Sequence, residues 1–197
     1  AERFGLIHSV DRWIVRRALT QLSRLHHNGE TVRFSINLSG KAFEDATLLP
    51  MISDLLTSTG LDPSYVTFEI TETAAIANLA AAEDFISALK DIGCQFALDD
   101  FGSGLSSFAY LKTLPVDYLK IDGSFVRDIV TDPVDHAMVS SMNQLGRAMG
   151  IRTIAEFVEN DTVLVKLAEI GVDYAQGYGI GRPQELRCKQ ICDRKTA

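Results

Sequence analysis

The sequence predicts an α/β fold, a TIM-type (β/α)8 barrel that is incomplete, with about six of its eight strands present. Three observations predict it. Short β-branched or aromatic runs alternate with segments of helical periodicity, which implies parallel pairing. Each run carries a polar residue at or near its C-terminal end, as expected of a barrel that gathers all its strand ends around one mouth; an open doubly wound sheet concentrates its ligand at one switch point instead. The chain has 197 residues, short of the ~250 typical of a closed barrel but enough for a single domain over residues 1–197.

The elements follow in order. Residues 6–27 read as a helix, with Leu6, Ile7, Val10, Trp13, Ile14, Ala18 and Leu22 on one side. The six strand candidates are Val32 to Ser39, Val66 to Glu72, Cys94 to Gly102, Val116 to Asp122, Ile151 to Glu159 and Val172 to Gly179. Between them, helices are expected at 45–59, 78–92, 134–149 and 160–170, with Gly60, Gly93, Gly150 and Gly171 where helices should stop. Met138, Met142 and Met149 fall near helical spacing and are expected in the core.

Composition excludes several classes. At 46% hydrophobic and 23% charged residues the chain is too apolar for disorder. No apolar run approaches the ~20 residues that span a bilayer, and AERFGLIHSV lacks the basic-then-apolar order of a signal peptide. A cytoplasmic protein is expected, with membrane anchoring through upstream regions left open. Nineteen Lys and Arg against twenty-six Asp and Glu give a net charge of −7, the wrong sign for a nucleic-acid polymer as partner. Cys94, Cys188 and Cys192 lack a second pair or a nearby His for a zinc site and read as reduced thiols. His8, His26, His27 and His136 show no metal-ligand spacing.

The strand ends collect Asn37; Glu69 and Glu72; Asp99 and Asp100; Lys120 and Asp122; Glu156 and Glu159; and Gln176. Carboxylates gathered at one rim repel one another, and hard divalent cations with oxygen ligands relieve that repulsion, so Mg2+ or Mn2+ is expected. Two ions bridged by one carboxylate would activate a water and hold a phosphate. Asp99 and Asp100 are neighbours, so both reach one site only where the backbone turns, and Gly102 and Gly104 follow them. Taken singly, a strand-end Asp or Glu reads more readily as a helix N-cap or a loop salt bridge than as a ligand, Asn37 could as easily cap the helix after NLSG, and Gln176 says little. Caps have no reason to recur at one end of six strands, with Glu72 and Glu159 the exceptions that could anchor a loop instead. Lys120 suits water positioning or charge neutralisation, with a Schiff-base lysine as the alternative.

At these residues the chain resembles the EAL-domain family of cyclic di-GMP phosphodiesterases. The motifs are NLS at Asn37, EITE from Glu69 to Glu72, DDFGSGLSS from Asp99, LPVDYLKID through Lys120, IAEFVE through Glu156 and Glu159, and QGYGIGRP from Gln176. The resemblance implies a barrel with one antiparallel strand and hydrolysis of cyclic di-GMP to linear pGpG with Mg2+ or Mn2+, in two ions, in bacterial second-messenger signalling. It implies that Asn37, Glu69, Asp99, Asp100 and Glu156 serve the metals and that Lys120 and Glu156 position or deprotonate the attacking water. Gln176 supports the site, Glu72 restrains the loop carrying DDFGSGLSS, and Asp122, Glu159 and Gln176 face the substrate. A homodimer through residues 104–112 and 124–135, and upstream sensor or GGDEF modules, are implied as partners. The alternatives are a cyclic di-GMP receptor or regulatory dimerisation domain that does not cleave, and a barrel without a nucleotide ligand. The family's Glu-Ala-Leu tripeptide, whose glutamate is a metal ligand, does not occur in the sequence, and Glu2 does not replace it. The expectation is a portion of a longer protein whose first two strands lie upstream.

Overall fold

The computed structural model describes residues 6–104 and 108–186. Its helices are α1 (Ile7–His27), α2 (Leu48–Thr59), α3 (Glu72–Ala77), α4 (Leu79–Ile92), α5 (Gly123–Val126), α6 (Pro133–Met149) and α7 (Asp161–Ile170). Its strands are β1 (Phe34–Asn37), β2 (Val66–Thr71), β3 (Gln95–Phe101), β4 (Tyr118–Ile121), β5 (Arg152–Ala155) and β6 (Tyr174–Ala175). They form one sheet in sequence order, and each neighbouring pair is parallel. The sheet curls into a half-barrel, with α-helices between successive strands except β3 and β4, where the described chain forms a 3-10 turn at Phe108–Lys112. The antiparallel strand is not among the described strands. The observed strands are shorter than the predicted runs, most of them at both ends: Val32, Val116, Ile151 and Val172 precede their strands, and Glu72, Asp122, Glu156 and Gln176 follow theirs.

Helix ends follow local chemistry. Gly60, Gly93, Gly150 and Gly171 all take left-handed C-cap conformations, which cost a residue with a Cβ more than they cost glycine. Asp132 caps α6 through the Val134 N–H, and Asn160 caps α7 through the Val163 N–H. Pro133 opens α6 where its missing N–H is not needed.

Alternation along the strands then separates two faces. Phe68, Ile70, Phe96, Leu98, Phe101, Leu119 and Ile121 point to the helices and are at most 1% exposed. They pack with Val15, Leu19 and Leu22 of α1, Ile86 and Leu89 of α4, Met142 of α6 and Leu167 of α7 in one core. Each such side chain contributes about 1.5–3 kcal/mol when removed from water. Met138 and Met149 pack against this core as expected. Cys94 is buried, and burial pushes its thiol up to about 12. Cys188 and Cys192, like Ser106 and Ser107, lie outside the described residues.

Candidate active site

The sheet register decides which residues share the inner face. Asn37 is opposite Glu69, and Glu69 is opposite Ala97, which puts Asp99 two residues on at the same face. Ala97 is opposite Tyr118, so Lys120 follows; Lys120 is opposite Ile154, so Glu156 follows. Ile154 is opposite Tyr174, and Gln176 completes the set. Six predicted residues therefore face inward at the exit rim through the period of two alone.

Asp100 should point outward by the same rule. Instead, Leu98 and Phe101 oppose Leu119 and Ile121, so β3 holds one more residue than β4 over this stretch, a β-bulge. Asp100 sits in it with φ 53°, the left-handed region that costs a non-glycine residue energy. The extra residue lets adjacent acids serve one site. Asp99, Asp100 and Glu156 each offer a carboxylate oxygen, and the three oxygens lie within 4.8 Å of one another.

Lys120 stands at the centre, 3% exposed. Its Nζ lies 2.9 Å from Glu69 Oε2, 2.7 Å from Asp99 Oδ1 and 2.7 Å from Glu156 Oε1. Burial works against the ammonium charge, but the field of Glu69 and the hydrogen bonds to Asp99, Glu156 and Glu69 outweigh it and raise its pKa above the ordinary lysine value. Glu156 is raised by burial and by the charges of Asp99 and Asp100, partly offset by Lys120. Asp100 is raised by burial, then by Asp99 and Asp122.

The remaining predicted residues have other placements. Glu72 is 1% exposed at the start of α3 and does not join the carboxylate cluster. It accepts the Gly102 N–H at 2.9 Å and the Tyr110 hydroxyl, so it ties together chain on both sides of residues 103–109. Asp122 caps α5 through the Ser124 N–H at 2.7 Å. Glu159 and Gln176 line a cavity of about 290 Å3 beside Glu156, together with Arg127, Phe157 and Tyr178. Of the histidines, His26 bonds the Val32 carbonyl and His27 the Ser23 carbonyl, within and just after α1.

Three contributors were missed in the sequence. Tyr110 is the hydroxyl partner of Glu72, 38 residues away. Asp11 of α1, 3% exposed, accepts the Ser39 hydroxyl at 2.5 Å and the Ser39 N–H at 3.3 Å, and so holds the turn after Asn37. Phe157 has φ 54° and lays its ring against Gly123, with the Arg127 guanidinium 5.8 Å from the ring centre. Only Asp11 had a signal, an acid among the apolar residues of a helix.

The sequence matches the EAL domain family over residues 1–183. The chain belongs to that family. It is 43% identical over 193 residues to the cyclic di-GMP phosphodiesterase PdeB of Shewanella oneidensis, covering 97% of this chain and 22% of PdeB. It is 38% identical over 186 residues to the cyclic di-GMP phosphodiesterase PdeF of Escherichia coli, covering 94% of this chain and 25% of PdeF. The chain thus spans about a quarter of the length of these relatives. Among solved structures, the PaMucR phosphodiesterase in complex with c-di-GMP superposes with a TM-score of 0.87 at 34% identity, over 93% of this chain and 75% of that one. This EAL domain therefore shares the barrel architecture of its structural relatives. Among the described residues, no helix is long and apolar enough to cross a membrane.

Proposed function

We propose that this EAL domain is a metal-dependent phosphodiesterase that hydrolyses cyclic di-GMP to linear pGpG. The convergence of Asp99, Asp100 and Glu156 within 4.8 Å supports it, because oxygen donors so placed fit Mg2+ or Mn2+. These three, with Asn37 and Glu69 beside them in register, would hold the ion or ions. A bound ion would neutralise phosphoryl charge and acidify a water.

The chain's own groups divide the remaining work. Lys120, whose ammonium is stabilised, does not deprotonate water; it orients the nucleophile and meets charge on phosphoryl oxygen. Glu156, raised above its ordinary value by burial, is the better proton acceptor of the two. A Schiff-base role needs a neutral amine, which the Lys120 environment opposes. Glu72 holds the loop that follows Asp99 and Asp100, while Glu159 and Gln176 meet the dinucleotide from the side cavity, and Asp122 lies close enough to Asp100 to influence it.

A homodimer through 104–112 and 124–135 is supported by exposed Phe108, Val130 and Val134 in or next to those stretches; only monomer in analytical ultracentrifugation at tens of micromolar would count against it. Sensor or GGDEF modules would occupy the length beyond this chain. The deciding experiment is chromatographic detection of pGpG from cyclic di-GMP with Mn2+, using the intact protein. Metal-dependent pGpG is expected. Folded protein that binds the dinucleotide and releases no product would establish a receptor instead.

A further inference from the structure

Three carboxylates surround the Lys120 ammonium: Asp99 accepts a hydrogen bond at 2.7 Å, and Glu69 and Glu156 pair with the charge at 2.9 and 2.7 Å. Its side chain is 4% exposed, those of Glu69, Asp99 and Glu156 6%, 15% and 10%. An ammonium so enclosed leaves no room at its head for a water or a phosphoryl oxygen while all three carboxylates stay in place. To act on substrate, Lys120 must first release a carboxylate.

The acids that bind it are also those that converge for a cation. Asp99 and Glu156 belong to both the Lys120 triad and the cluster with Asp100. One carboxylate cannot neutralise two cations fully at this range, and the sparing solvent strengthens the competition. On the metal-dependent reading above, we infer that Lys120 is the resident counter-ion of the rim, which a divalent ion displaces from Asp99 and Glu156. The ammonium holds the carboxylates in place without metal, opposes metal entry, and is freed for the substrate by it. Metal binding and the arming of Lys120 are then one event.

The inference predicts a sign that a purely structural or purely catalytic lysine does not. In the intact protein, Lys120→Met should lose hydrolysis yet bind Mn2+ about tenfold more tightly by calorimetry, because a nearby positive charge is gone. Lys120→Arg, which keeps the charge, should show no such gain. In EDTA, Lys120→Met should melt lower than the wild type, and Mn2+ should raise its melting temperature by more. Equal or weaker Mn2+ binding by a folded Lys120→Met overturns the inference. If that variant folds neither with nor without Mn2+, the wild type decides through the Lys120 ammonium 15N resonance, identified by its loss in Lys120→Arg. A shift during Mg2+ titration supports displacement, and an unmoved resonance in metal-saturated protein overturns it. Failure of the wild type to bind either ion overturns the metal-dependent reading and the exchange together, whereas binding without displacement overturns the exchange alone.

Discussion

The two rims of the sheet use the same acid for opposite ends. At the entry rim, Val116-Asp117-Tyr118 and Val172-Asp173-Tyr174 repeat one tripeptide before β4 and β6. Asp117 accepts the Phe96 N–H at 2.9 Å and Lys90 Nζ at 2.6 Å. Asp173 accepts the Thr153 N–H at 2.8 Å, and the Thr153 hydroxyl in turn bonds Asn143 at 2.6 Å. Each acid thus satisfies a backbone donor at the start of the preceding strand. At the exit rim, Glu69, Asp99 and Glu156 share one ammonium, and Asp100 is packed against its like-charged neighbour. A carboxylate given backbone donors fixes the fold, whereas carboxylates crowded with too little positive charge keep acceptor capacity for something else.

The largest expected effect separates the rims. Glu156→Gln should lower turnover about 10²- to 10⁴-fold, the usual worth of a positioned acid or base. Its melting temperature in EDTA should not fall with it, because the change removes like-charge repulsion along with one ion-pair partner. A variant that loses activity only in proportion to unfolding would show that this rim is structural too. Asp117→Ala and Asp173→Ala should do the reverse. Each leaves a buried strand N–H without its acceptor and should cost about 1–3 kcal/mol in urea denaturation, with pGpG production per folded molecule unchanged. A specific activity loss at either position would erase the distinction between the rims.

The Glu72 clasp lies between these extremes. Tyr110→Phe removes one of its two bonds and should cost about 1–2 kcal/mol. Burial, then the Glu72 bond and charge, raise the Tyr110 pKa above its ordinary value. The unfolded chain therefore releases this proton near pH ~10 while the folded chain keeps it, so stability falls as pH rises past that point. Tyr110→Phe should flatten this part of the stability profile, measured by denaturation from about pH 9 to 11. An unchanged slope would show that Tyr110 does not hold its proton through Glu72.

Most of the exit rim was legible because it depends on a period. Asn37, Glu69, Asp99, Lys120, Glu156 and Gln176 fall at strand ends, and parallel pairing leaves them one common face. The glycine stops were legible for a local reason, the left-handed conformation that ends a helix. Asp100 was legible as a partner of Asp99, but the device that turns it inward, an extra residue and a left-handed φ, is set by the pairing of β3 with β4. The Tyr110 contact crosses 38 residues, beyond any local pattern. Asp117 and Asp173 were hidden by looking like ordinary strand starts, although their shared tripeptide was a usable repeat. Asp122 illustrates the converse: a residue picked out for substrate by resemblance also performs the local work of capping α5.

Phe157 gives the smallest effect and the finest test of how the exit rim tolerates strain. Its φ of 54° costs about 1–2 kcal/mol for a residue with a Cβ. The residue is 54% exposed, so burial alone does not offset that cost. The contacts are the face of Gly123 and the Arg127 guanidinium 5.8 Å away, the latter worth about 0.5–1 kcal/mol at an exposed site. Relief of strain and loss of contact therefore nearly cancel, and Phe157→Gly should leave stability within about 1 kcal/mol of wild type. Gly123→Ala should be worse, because a Cβ there would stand 2.1 Å from Phe157 Cδ2 and 2.8 Å from Phe157 Cβ. Since Phe157 Cβ cannot swing away with the ring, the backbone must move. In Phe157→Gly the obstruction is gone, and Gly123→Ala should then cost markedly less, a coupling that a double-mutant cycle reads directly. Additive costs would place the strain in the loop itself, independent of the ring that it carries over Gly123.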